Sequence, residues 1–163
     1  DISTLISKFK DVGLTEKDMV TLSGAHTIGK ARCATFSSRL MGVQPDSTIQ
    51  TEYLTSLQQL CTQGFVINNN TLAALDLETP VTFDNQYYAN LRSGEGLLKT
   101  DQLLYSNGSE TTRELVEFYI QNQPAFFENF KTSMIKMGNI KPLTGTSGEI
   151  RRNCKFINSY SSA

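Results

Sequence analysis

Apolar residues recur at helical spacing over most of the chain, separated by short polar or glycine-rich breaks. Leu5, Ile6 and Phe9 share one helical face, and Gly13 closes that segment as a C-terminal cap. Thr15 and Asp18 have the spacing of a capping box, which opens a second helix through Met19, Val20 and Leu22. That helix should stop at Ser23-Gly24. Residues 30–40 can form a short helix, 41–46 read as loop, and Tyr53, Leu57, Leu60 and Cys61 return to helical spacing. Asp84 is placed to cap a helix carrying Tyr87, Tyr88 and Leu91, and Ser109 one carrying Leu115, Val116 and Tyr119. Pro124 suits the first position of a last helix, with Phe127, Phe130, Met134 and Met137 as its stripe and Gly138 at its end.

Residues 62–80 break this pattern. They lack a helical period and include Asn68-Asn69-Asn70, which predicts an irregular loop on the surface. Gly, Thr and Ser dominate from 141 onward, so the tail should wrap the surface. The predicted class is mainly α, with six or seven helices, long irregular loops, no repeats and no convincing hairpin.

Composition narrows the function. A chain of 163 residues, 39% apolar and 19% charged, suits one folded domain with a continuous core. Fifteen basic against sixteen acidic residues leave a charge of −1, so no nucleic-acid partner is expected. No apolar run is long enough for a membrane span. The start at Asp1-Ile2-Ser3-Thr4 has no initiator methionine and reads as a processed or truncated beginning. Asn69 and Asn107 lie in N-x-[ST] glycosylation patterns, which together with the cysteines lean toward a secreted protein. Three cysteines leave either a free thiol or a bond to something outside the chain.

One histidine excludes any site built on two imidazoles, including H-E-x-x-H zinc proteases. His26 sits in Ser23-Gly24-Ala25-His26-Thr27-Ile28-Gly29, whose small residues clear space around the ring. Two readings stand: a core histidine satisfied by hydrogen bonds, or an axial ligand to a porphyrin iron, which needs only one protein imidazole. His26 with Cys33, Cys61 and Cys154 would make four zinc donors, but no C-x2-C pair supports that site. Asp76, Thr79, Thr82 and Asp84 gather hard oxygen donors on irregular backbone, which suits calcium but equally suits a turn followed by a helix cap. Asp101 lies between apolar residues. It is either a solvated acid or a buried carboxylate that needs a partner, such as a metal-bound imidazole. The phenylalanine and methionine stripe reads as core rather than cofactor pocket. Residues 145–148 lack the P-loop lysine, and Ser23 has no ordered triad around it.

Four ordered stretches resemble the secretory plant heme peroxidases, the horseradish-peroxidase-like family: residues 19–29, 76–88, 96–103, and 134–140 with 145–154. The resemblance implies that His26 is the axial ligand of heme b and that Asp101 is its hydrogen-bonded carboxylate. It implies a calcium site from Thr27, Asp76, Thr79, Thr82 and Asp84, and a disulfide between Cys33 and Cys61. Such a bond is worth roughly 3–4 kcal/mol on the chain-entropy account. Cys154 corresponds to a cysteine whose partner lies in the family's N-terminal half, and Arg32 falls near a position that can approach a heme propionate. Leu75 stands where some relatives carry an aromatic near the imidazole.

The implied activity is oxidation of phenolic or other small donors by one-electron steps at the expense of hydrogen peroxide. The distal histidine and arginine that split the O–O bond would lie before residue 1, so residues 1–163 correspond to the proximal half and should not turn over alone. The implied location is extracellular, cell wall or vacuole. The contrasting expectation is a secreted, calcium-stabilised helical module that binds a partner without catalysis.

Overall fold

The computed structural model describes residues 1–41, 45–63 and 66–158. Among these, eight α-helices carry the fold: α1 Ile2–Asp11, α2 Glu16–Ser23, α3 Cys33–Leu40, α4 Thr51–Cys61, α5 Gln86–Arg92, α6 Lys99–Gln102, α7 Glu110–Gln121 and α8 Gln123–Gly138. The class is mainly α, as predicted. None of these helices is long and apolar enough to cross a membrane. The helix beyond the expected six or seven is α6, whose four residues are too few to show a period.

Local chemistry explains most ends. Gly13 takes φ +83° just beyond α1, a left-handed conformation that side chains resist. Thr15 accepts from the Asp18 backbone N–H while Asp18 accepts from that of Thr15, so the capping box forms reciprocally. Ser109 caps α7 by accepting from Thr112 N–H at 3.1 Å. At α5 the expectation shifts by one residue: Asn85 is the N-cap, and Asp84 accepts from Gln86 N–H at 2.8 Å.

Two stretches depart from the expected pattern. Residues 30–40 are a short strand followed by a helix: β1, Lys30–Arg32, pairs antiparallel with β4, Leu72–Ala74, before α3 begins. Three residues show no alternation, and it is pairing across the chain that draws them into extended form. Residues 62–80 are likewise more ordered than a loop. They contain β4 and an antiparallel pair, β2 Thr62–Gln63 with β3 Val66–Ile67, which is the hairpin the sequence did not signal.

Two apolar clusters fill the interior. Met19, Val20, Tyr87, Tyr88, Leu91, Val116, Tyr119 and Phe126 join α2, α5, α7 and α8. Phe36, Leu40, Tyr53, Leu57, Ala73 and Leu97 join α3, α4, β4 and the approach to α6, with the Cys33–Cys61 disulfide inside them. The α8 stripe needs correcting. Its buried residues are Phe126 and Ser133, whereas Phe127, Met134 and Met137 are exposed. The rotation follows from a polar contact with α2. Ser133 Oγ donates to Asp18 at 2.7 Å and Lys136 Nζ at 3.0 Å, so the inner face of α8 is not its most apolar one. Residues 141–157 are exposed throughout, as expected for the tail.

Candidate functional site

His26 sits on a 3-10 turn, Gly24–Thr27, that continues directly from α2. Gly24 starts this turn for reasons of space rather than backbone freedom. Its backbone is right-handed helical at φ −60°, but a Cβ there would lie 2.4 Å from the Tyr88 hydroxyl and 2.7 Å from the Phe126 ring. The close approach seats the turn on the aromatic core, with the His26 ring edge-on to Tyr87.

The structure brings Asp101 to His26 across 75 residues. Asp101 is buried, and its two oxygens share His26 Nδ1 at 3.0 and 3.1 Å. In the neutral ring, pairing with a carboxylate favours the tautomer with its proton on Nδ1, which leaves Nε2 its lone pair. The hydrogen bond to Asp101 pulls the His26 pKa above its ordinary value. Burial opposes this, and the Asp101 charge reinforces it. His26 is the half-exposed member of the pair and opens onto a pocket of about 530 Å³. Ala31, Ala34, Leu72, Leu75 and Leu98 give that pocket apolar walls, while Lys30 and Arg32 add positive charge.

Asp101 keeps its place through two residues that the sequence did not mark. Gln102, fully buried, accepts from Gly96 N–H at 2.9 Å and donates to Leu91 O at 2.8 Å. Arg39, also buried, donates from Nη1 to the carbonyls of Gly96 and Leu97 at 2.6 Å and from Nε to Asp46 at 2.8 Å. Burial works to raise the Asp46 pKa, but hydrogen bonds from Thr48 and Arg39 outweigh it and leave the carboxyl below its usual range. The signal for Arg39 was faint: a cation in a short helix between buried Phe36 and Leu40.

A second cluster adjoins His26 through Thr27. The Thr27 hydroxyl lies 3.2 Å from both Asp76 Oδ2 and Asp84 Oδ1, and Thr79 Oγ1 donates to the same Asp84 oxygen at 3.1 Å. Asp76 Oδ1 accepts from the backbone N–H groups of Glu78 and Thr79 and from Asn90 Nδ2, at 2.9–3.0 Å. Thr82 joins only through its backbone, donating N–H to Thr79 O at 3.1 Å, and its side chain is exposed. Asp76 and Thr27 are wholly buried. Among the described residues, neither Asp76 nor Asp84 forms an ion pair with a basic side chain. Nor does any group of three His, Cys, Asp or Glu side chains converge there or elsewhere among those residues. Two carboxylates and two hydroxyls without a counter-charge are an all-oxygen donor set, which fits a hard cation.

The remaining sequence-marked residues lie apart from the pair. Cys33 and Cys61 are bonded, S–S 2.02 Å, and Cys154 is free and exposed. Asn69 and Asn107 are exposed. Exposed apolar side chains run along the end of α8 and the tail, including Ile135, Leu143, Ile150 and Phe156.

Comparison with known proteins accords with this geometry. A family model described as peroxidase matches residues 1–122. Peroxidase 54 of Arabidopsis thaliana is 50% identical over 99% of this chain and 46% of its own length. Peroxidase 15 of Ipomoea batatas is 50% identical over 97% of this chain and 49% of its own, and the lignin-forming anionic peroxidase of Nicotiana tabacum 47% over 96% and 49%. The chain thus spans about half the length of the curated relatives it matches. These matches show that the chain belongs to the peroxidase family.

Proposed function

We propose that residues 1–163 form the iron-binding, proximal side of a secreted heme peroxidase that uses hydrogen peroxide to oxidise small phenolic or similar donors. The observation that carries this reading is the His26–Asp101 pair at the edge of an apolar pocket. The pocket fits heme b by its chemistry: apolar walls for a flat ring, one imidazole nitrogen with a free lone pair, and Lys30 and Arg32 for acidic side groups. Bound there, heme iron supplies the centre at which peroxide is reduced and from which donors are oxidised one electron at a time.

Within this reading each residue has a distinct task. His26 would hold the iron through Nε2. Asp101 holds the proton at Nδ1, which makes the opposite nitrogen a stronger donor to the metal. Arg32 would take a propionate. Thr27, Asp76, Thr79 and Asp84, with the Thr82 carbonyl, would hold a calcium ion one peptide unit from the iron ligand. Asn69 and Asn107 would carry glycans, in keeping with secretion to the cell wall or vacuole. Because His26 is the chain's one histidine and is taken up by the iron, a second imidazole for acid–base work would have to come from outside these residues. A further segment matching the rest of the relatives' length would also cover the exposed apolar residues of α8 and the tail and offer Cys154 a partner.

The test is heme binding by the full-length or two-part protein. A Soret band of histidine-ligated ferric heme is expected, and His26→Ala should abolish or reshape it. A band that persists unchanged in His26→Ala refutes the assignment.

A further inference from the structure

We infer that Tyr87 is a positioning residue for the His26–Asp101 pair, its hydroxyl a donor to the Asp101 carboxylate that limits how strongly Asp101 draws on the Nδ1 proton. This rests on the reading of His26 as iron ligand and extends it to a residue outside the ligand pair.

Tyr87 is buried, and its hydroxyl is the one buried side-chain polar atom without a hydrogen-bond partner among the described residues. A phenylalanine would fill the same space without leaving a polar atom unpaired, so the hydroxyl calls for an explanation. The next residue supplies the contrast: the Tyr88 hydroxyl donates to the Val20 and Thr21 carbonyls at 3.1 and 3.3 Å. Tyr87 instead meets the His26 ring edge-on, with centroids 6.3 Å apart.

Asp101 is underserved from the other side. Its buried carboxylate has about four acceptor positions, yet its two oxygens share a single donor, His26 Nδ1–H. Splitting that arrangement would leave one oxygen on His26 and turn the other to Tyr87, whose ring already lies against His26. A phenol is neutral at ordinary pH and carries one O–H, so Tyr87 meets the carboxylate as a donor. Ser23 is the competing partner. Its hydroxyl already donates to Met19 O at 2.9 Å, and as a neutral acceptor it is weaker than a carboxylate.

The experiment uses the heme-loaded protein containing this chain. It measures the iron–histidine stretching frequency and the ferric–ferrous reduction potential. Tyr87→Phe removes only the hydroxyl; Asp101 then draws harder on His26, so the frequency should rise and the potential fall. In an Asp101→Asn background the same substitution should move neither quantity. Site-specific Tyr87→3-fluorotyrosine, a more acidic phenol and a stronger donor, should shift both the opposite way without disturbing packing. The proposal is overturned if Tyr87→Phe leaves both quantities unchanged, if its effect survives in the Asp101→Asn background, or if Ser23→Ala reproduces it. An unsubstituted protein with no iron–histidine band overturns the ligand assignment itself, and the proposal with it.

Discussion

Asp18→Ala should destabilise the protein by about 3 kcal/mol near neutral pH, because Asp18 fastens the helix that ends in the His26 turn. The buried Asp18 carboxylate accepts from the Thr15 backbone and hydroxyl at 2.9 and 2.7 Å, from Ser133 Oγ at 2.7 Å, and from Lys136 Nζ at 3.0 Å. Losing the capping-box acceptor costs about 1 kcal/mol. Leaving the Ser133 hydroxyl unpaired in the interior costs roughly 1–3 kcal/mol. Lys136 is half exposed, so its ion pair adds no more than about 1 kcal/mol after solvent screening. These terms share one group and do not simply add, which places the total near the middle of their range. For a chain of this length about 3 kcal/mol corresponds to a fall in melting temperature of roughly 6–12 °C.

The pH dependence has a definite sign. Burial pushes the Asp18 carboxyl upward, but the hydrogen bonds from Thr15, Ser133 and Lys136 outweigh it and hold the group well below the usual carboxylate range. A carboxyl depressed on folding contributes stability in full above its unfolded pKa, about 4, and loses it as pH falls toward the folded value. The gap between wild type and Asp18→Ala should therefore be constant from pH 8 to 5 and narrow steadily below pH 4. Denaturant unfolding followed by circular dichroism, at several pH values on the protein carrying this chain, measures it. A neutral-pH difference under about 1 kcal/mol, or a gap that stays constant into acid, would refute the reasoning.

Two further substitution or removal experiments probe the site's surroundings. Gly24→Ala places a Cβ against the Tyr88 hydroxyl and the Phe126 ring, and overpacking of that kind costs about 1–3 kcal/mol. It should also weaken heme binding through the displaced turn. Gly138→Ala, where nothing lies within 4 Å, should be close to neutral in the same denaturant unfolding experiment. If Thr27, Asp76, Thr79 and Asp84 hold calcium, a chelator should lower the melting temperature by several degrees, since an ion at a hundred times its dissociation constant contributes about 2.7 kcal/mol. Asp84→Asn should abolish that sensitivity; a melt indifferent to chelator in the unsubstituted protein counts against the site.

What was legible in the sequence was local. Gly13, the Thr15–Asp18 box and Ser109 each act within four residues of where they stand, and each marks the helix end that was expected of it. What was not legible depends on partners far along the chain. Residues 30–32 become a strand only because residues 72–74 lie beside them. Helix α8 turns Ser133 inward rather than Met134 because Asp18, 115 residues earlier, offers a charged acceptor there. The period of apolar residues finds the helix, but the face it turns to α2 is decided by a buried polar contact that the period does not report.

The same distinction bears on the candidate site. His26 stood out by its small neighbours and by being alone, and Asp101 by being an acid among apolar residues, but their meeting spans 75 positions and rests on Gln102 and Arg39, neither of which was a candidate site residue. Burying Asp101 and the Tyr87 hydroxyl beside one turn is costly for folding alone, because each is a polar group removed from water with fewer partners than it can use. Asp76 accepts four hydrogen bonds there, but it is a buried carboxylate with no basic partner among the described residues. Apolar replacements of similar shape would pack the same space more cheaply. These groups gather around His26 and Thr27, and among the described residues the Tyr87 hydroxyl alone is a buried side-chain polar atom without a partner, which leaves uncompensated capacity at this turn. A cation beside Thr27 and a metal on His26 are the additions that would make use of it.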